Sequence, residues 1–136
     1  MTGTHRGMVP AKGVGPDWPD WLEGLYQLAD GMDAAGFASH FGPRGTMRFG
    51  NASVLVGSDA IEVSLREFFG AVTSMRHRPL RFWESGAEAI FEAIVTYGRS
   101  DGELVEIPAV TAYTRTEDGA LHCRVFCDMT PVFSDQ

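Results

Sequence analysis

The chain has 136 residues, 44% of them hydrophobic and 11% aromatic, which suits one domain with a real core and excludes the disordered class. Its formal net charge of −7 repels phosphate backbones, so nucleic acid and anionic membrane are poor partners. No apolar run approaches the roughly 18 residues of a membrane span.

In chain order, residues 1–15 have no apolar segment of secretory type and read as a disordered, Gly-rich lead, with the domain spanning 16–136. Asp20 is the expected N-cap of a first helix whose Leu22, Leu25, Leu28, Ala29 and Met32 share one face. Gly31 breaks that helix, and Asp33 caps a short second one anchored by Phe37 and Phe41. Gly42-Pro43-Arg44-Gly45 ends it. Thr46 to Val56 reads as a strand pair or bent strand, with Met47, Phe49, Asn51 and Leu55 on one face. A third helix opens at Ser58 and runs to Met75, with Glu62 against its first turn.

The periodicity then becomes two. Strands are expected at 76–84, 87–99, 103–115 and 120–129, separated by Ser85-Gly86, Asp101-Gly102 and Asp118-Gly119 turns. Ala89, Phe91, Ala93, Val95 and Tyr97 form a clean apolar row. The opposite row, with Ile90 and Ile94 beside Glu88 and Glu92, suits a homodimer packed sheet to sheet. Helices first and a strand meander last make an α+β plan. Cys123 and Cys127 lie about 13 Å apart along one strand, too far for a disulfide needing Cα atoms within about 7 Å. Two buried thiols fit a cytoplasmic protein. No residue spacing suggests a metal site.

The phrases Leu28-Ala29-Asp30-Gly31-Met32-Asp33, Thr46-Met47-Arg48-Phe49-Gly50-Asn51, Gly57-Ser58-Asp59-Ala60-Ile61, Met75-Arg76-His77 and Arg124-Val125-Phe126-Cys127-Asp128 occur in the order seen in a known group. The chain resembles the nuclear transport factor 2-like (SnoaL-like) superfamily over about residues 18 to 133. The resemblance implies a cone-shaped α+β fold, three N-terminal helices packed on a strongly curved antiparallel sheet around an apolar small-molecule pocket.

The enzyme types of that superfamily set different demands. Ketosteroid isomerases need an acid where Phe49 and Val110 stand, so their proton transfer is not expected here. Limonene-epoxide hydrolases share Asn51, but Phe49, Ala93, Val95 and Val125 replace the water-holding Tyr, Arg and acids. Scytalone dehydratases pair an Asp at the end of the first helix with a His after the third, which Asp30 and His77 match. Their second histidine and their tyrosines are missing, the latter replaced by Ala29 and Phe49.

His77 therefore reads either as a general acid/base oriented by Asp30 or as a surface residue between Arg76 and Arg78. Asn51 either positions a ligand or satisfies buried backbone. Asp128 is a secondary catalytic candidate, although its parity groups it with His122 and Arg124, away from the apolar side. Trp18, Trp21, Tyr26, Trp83 and Tyr97 could line a flat apolar site, and core packing is the alternative for each. Phe49 and Val110 are expected at the ligand pocket as well. His5 and His40 have no acidic partner in view. The expected function is cofactor-independent acid–base chemistry, by a lyase, isomerase or cyclase, on an apolar oxygenated molecule of polyketide, terpene or steroid type. The alternative is a non-catalytic binding or interaction module.

Overall fold

The structure, a computed structural model, describes residues 19–133. The expected N-terminal lead, Trp18 and His5 lie outside the described residues. Helix α1 spans Asp20–Asp30 and buries Leu22, Leu25, Tyr26 and Ala29. Its N-cap is Pro19, not Asp20 as the sequence suggested: the Pro19 carbonyl accepts the Leu22 and Glu23 N–H groups. Asp20 is the first helical residue, where its charge complements the helix dipole. Gly31 closes the helix, and Met32 at φ 55° turns the chain into α2, Ala34–Ser39.

Asp33 caps α2 by accepting the Gly36 N–H at 2.9 Å. Asp33→Ala is expected to cost about 0.5–2 kcal/mol, read as a lower midpoint in urea with an unchanged slope.

Strands β1 (Thr46–Phe49) and β2 (Leu55–Val56) form a short antiparallel pair, with Met47 opposite Leu55. Helix α3 covers Ser58–Ala71 and buries Ile61, Leu65 and Phe69. It stops four residues before Met75, because Val72 is already extended and Ser74 begins the next strand. Glu62 pairs with Arg66 one turn on rather than bracing the helix start.

The strands β3 (Ser74–Ser85), β4 (Glu88–Gly98), β5 (Leu104–Arg115) and β6 (Leu121–Phe126) form the expected meander. The sheet runs β2-β1-β6-β5-β4-β3 and is curved and open. One pairing departs from the all-antiparallel expectation: β1 lies parallel to β6, Thr46 beside His122 and Phe49 beside Val125. A bulge between Pro79 and Arg81 bends β3, since proline has no N–H for the ladder. The last strand is shorter than expected. It ends at Phe126, and α4, Thr130–Phe133, follows.

Helices α1, α2 and α3 cover the face that carries Ala89, Phe91 and Ala93, and Leu22, Leu25, Phe41, Ile61 and Phe91 are almost fully buried there. Val95 and Tyr97, further along that row, pack with Val72, Ile107 and Val132 of α4. No helix among the described residues is long and apolar enough to cross a membrane.

Candidate functional site

Asp30 ends α1, and α1 packs against β3, which carries His77 inward beside Val95. The carboxylate holds His77 twice. Its Oδ1 lies 2.6 Å from the ring Nδ1, and both oxygens accept the His77 backbone N–H at 3.1 and 3.2 Å. A carboxylate only accepts, so Nδ1 carries the proton and Nε2 is left as the basic nitrogen. An acid at a helix C-terminus opposes the dipole, so α1 gains nothing locally from Asp30. The His77 side chain is 11% exposed and that of Asp30 34%, which puts the pair at the wall of the core.

His77 lines a partly open cavity of about 50 Å³ between the helices and the inner sheet face. Phe37, Phe49, Phe68, Phe91 and Val95 supply much of its apolar wall. Tyr26, Tyr97, Tyr113 and Thr111 supply the oxygen atoms. Tyr26 packs on the His77 ring at 4.5 Å between centroids and shares a hydrogen bond with Tyr113 through the two hydroxyls. Burial raises the pKa of Tyr26, Tyr97 and Tyr113 well above the usual phenol value. These phenols therefore stay protonated, and a hydroxyl proton not used in the Tyr26–Tyr113 bond can be donated to a ligand oxygen, but none serves as a base near neutral pH. Burial also pushes the Cys123 thiol, on the same wall, up to about 12, so it stays a thiol.

The other nominated residues go elsewhere. Asn51 is exposed, because Gly50 at φ 57° ends β1 at Phe49 and turns the chain outward. It borders a shallow surface hollow with Arg48 and Arg124. Val110 is 37% exposed on the outer sheet face, opposite Phe126, and Ala109 and Thr111 are the inward residues of β5. Trp83 is half-buried and faces outward with its partner Ile90. Asp128 is exposed and accepts the Thr130 N–H at 3.0 Å, so its task is to cap α4. Trp21 lines a separate groove. Phe49, Tyr26 and Tyr97 line the cavity. Tyr113 and Thr111 were missed, although both share the inward parity of Ile107 and Ala109 on β5.

Among the described residues, no three of His, Cys, Asp and Glu come together as a metal site.

The sequence matches the SnoaL-like domain family over residues 22–122. The chain belongs to that family. A search of curated proteins finds no match. The SnoaL-like fold recurs in solved structures of low sequence identity. A hypothetical protein with a ketosteroid isomerase-like fold from Catenulispora acidiphila, in complex with trimethylamine, superposes with TM-score 0.76 at 11% identity, over 85% of this chain and 91% of that one. ActVI-ORFA from Streptomyces coelicolor gives 0.61 at 23% identity, over 79% and 92%. The epoxide hydrolase/cyclase-like enzyme SalBIII, which acts in pyran ring formation in salinomycin, gives 0.68 at 18%, over 80% and 88%. At these identities the likeness shows the SnoaL-like fold and no more.

Proposed function

We propose that this SnoaL-like protein is a cofactor-independent acid–base enzyme, a lyase, isomerase or cyclase, for a small apolar molecule that carries oxygen. The observation that carries this reading is the Asp30–His77 pair in the wall of an apolar cavity, facing the hydrogen-bonded phenols of Tyr26 and Tyr113. His77 Nε2 would take a proton from a carbon or hydroxyl of the ligand. Asp30 would hold the tautomer and stabilise the imidazolium. The tyrosine hydroxyls would donate to the oxygen where negative charge develops. The epoxide hydrolase/cyclase-like neighbour SalBIII and a further neighbour, TerC, co-crystallized with polyporic acid, suggest polyketide-like or aromatic oxygenated ligands.

One observation favours a non-catalytic binding or interaction module. A cavity of about 50 Å³ has room for a water or two, far below the several hundred Å³ of ordinary ligand sites. A substrate must therefore displace side chains such as Phe68 and Met75 on the wall. Incubating the protein with hydrophobic metabolites and reading retained and converted compounds by mass spectrometry separates the two, because a binding module retains a compound without converting it. The enzyme reading expects oxygenated apolar molecules to be retained and converted, both lost on Phe91→Trp, which fills the cavity. Conversion of none supports the module.

The outer sheet face fits a second copy. Ile90, Val110 and Phe126 are exposed there beside the Arg81–Glu92 pair, and we propose a homodimer packed sheet to sheet. Light scattering at micromolar concentration should give twice the mass of one chain, and Ile90→Arg should halve it. A wild-type mass of one chain contradicts this. The half-buried and buried thiols of Cys127 and Cys123 suit a reducing compartment.

A further inference from the structure

Trp21 leaves the cavity and opens a second site. On the far side of Tyr113, whose ring meets Trp21 edge-on at 5.5 Å, lies a groove of about 420 Å³. Its apolar lining comes from Trp21, Leu25 and Leu121, and its polar rim from His40, Arg115 and Glu117. Arg115 stands at the end of β5 with its guanidinium carbon 4.8 Å above the Trp21 ring centroid. It forms no ion pair among the described residues, although the chain carries an acidic excess. The loop acid Asp118 is already engaged by Arg44 at 2.9 Å and by the Ala120 N–H at 3.1 Å, so it does not neutralise Arg115. The indole N–H of Trp21 is buried and has no hydrogen-bond acceptor among the described residues.

From this groove we infer a second small-molecule site, distinct from the His77 cavity, that takes a planar apolar molecule bearing a carboxylate. Each part of that ligand answers a feature of the groove. The apolar ring lies on the exposed part of Trp21, with the buried Leu25 and Leu121 beneath it. The carboxylate pairs with Arg115, whose fork of N–H donors matches two carboxylate oxygens. His40 stands on the rim as a further donor. Arg115 needs little ordering to bind, because stacking on Trp21 already limits its rotamers. Glu117 opposes the anion, so its neutralisation should tighten binding. The volume falls within the few hundred Å³ of ordinary small-molecule sites. The inference stands independently of the acid–base reading.

The test is a titration of the ¹⁵N-labelled full chain with phenylacetate, phenylacetamide and phenethylamine, following the tryptophan indole N–H signals. Trp21→Phe assigns the Trp21 signal. Phenylacetate at about millimolar concentration should move it, with an affinity roughly tenfold above that of phenylacetamide. Arg115→Gln, an exposed change that leaves the core intact, should abolish the preference for the anion. Glu117→Gln should strengthen phenylacetate binding, and His77→Ala should leave it unchanged. The proposal is overturned if the Trp21 signal is unmoved by phenylacetate, if phenethylamine binds more tightly than phenylacetate, or if Arg115→Gln has no effect.

Discussion

His77→Ala is expected to cut turnover by about 10²–10⁴-fold, with the melting transition nearly unchanged. The loss corresponds to about 3–5 kcal/mol of barrier, a size expected when the group that moves the proton is removed. The fold should survive, because Asp30 also binds the His77 backbone N–H and that bond does not need the ring. Asp30→Asn should cost less than His77→Ala. An asparagine oxygen can still accept the backbone N–H and orient the imidazole, so the change removes the charge that favours the imidazolium. If His77→Ala retained full turnover, His77 would be a packing residue and the acid–base reading would fall. Turnover is measured on a compound retained in the metabolite screen, with stability followed separately by thermal melting.

The second large effect is structural. Gly45→Ala is expected to destabilise the protein by about 3 kcal/mol or more, lowering Tm by roughly 10 °C. A Cβ at Gly45 would stand 2.1 Å from the Phe41 carbonyl oxygen and 2.5 Å from that of Leu121. Both are backbone atoms, and neither can swing away as a side-chain tip could. The junction is crowded because the Gly45 carbonyl accepts the Gly57 N–H at 2.8 Å, while Leu121 N–H donates to Phe41 at 3.4 Å. The end of α2, the approaches to β1 and α3, and the start of β6 meet there. Gly70→Ala provides the contrast. Its Cβ would meet nothing within 4 Å, and the position is exposed inside α3. Removing glycine's freedom there should stabilise the protein by about 0.5–1 kcal/mol. Equal effects of the two changes, measured by thermal melting, would contradict this account of the junction.

The contrast between what could and could not be read in advance follows the range of the forces. Alternation along β4 places Ala89 to Tyr97 on the buried face, because a side chain's face depends only on its neighbours in the strand. The parallel pairing of β1 with β6 depends on residues some 75 positions apart, and nothing local encodes it. Asn51 went astray because strand alternation was extended past Gly50, where a positive φ turns the chain. Val110 went astray because family alignment outweighed parity: Thr111 and Tyr113 point inward, and Val110 cannot. Tyr113 carried a readable signal in that same parity. Asp30 and His77 are 47 residues apart, and resemblance to the dehydratases suggested their pairing before the structure showed the contact. Asp128 was already suspect by parity, and the start of α4 two residues later gives its carboxylate a capping task.

The central claim is that the Asp30–His77 pair works on a ligand inside the cavity. The direct measurement is the imidazole ¹⁵N spectrum of His77, recorded with and without an apolar oxygenated compound from the metabolite screen. The account predicts that the ligand shifts His77 Nε2 while Nδ1 keeps its proton toward Asp30, and that the ligand reacts in wild type but not in His77→Ala. A spectrum unchanged at saturating ligand, with shifts confined to the outer sheet face or the Trp21 groove, would contradict it.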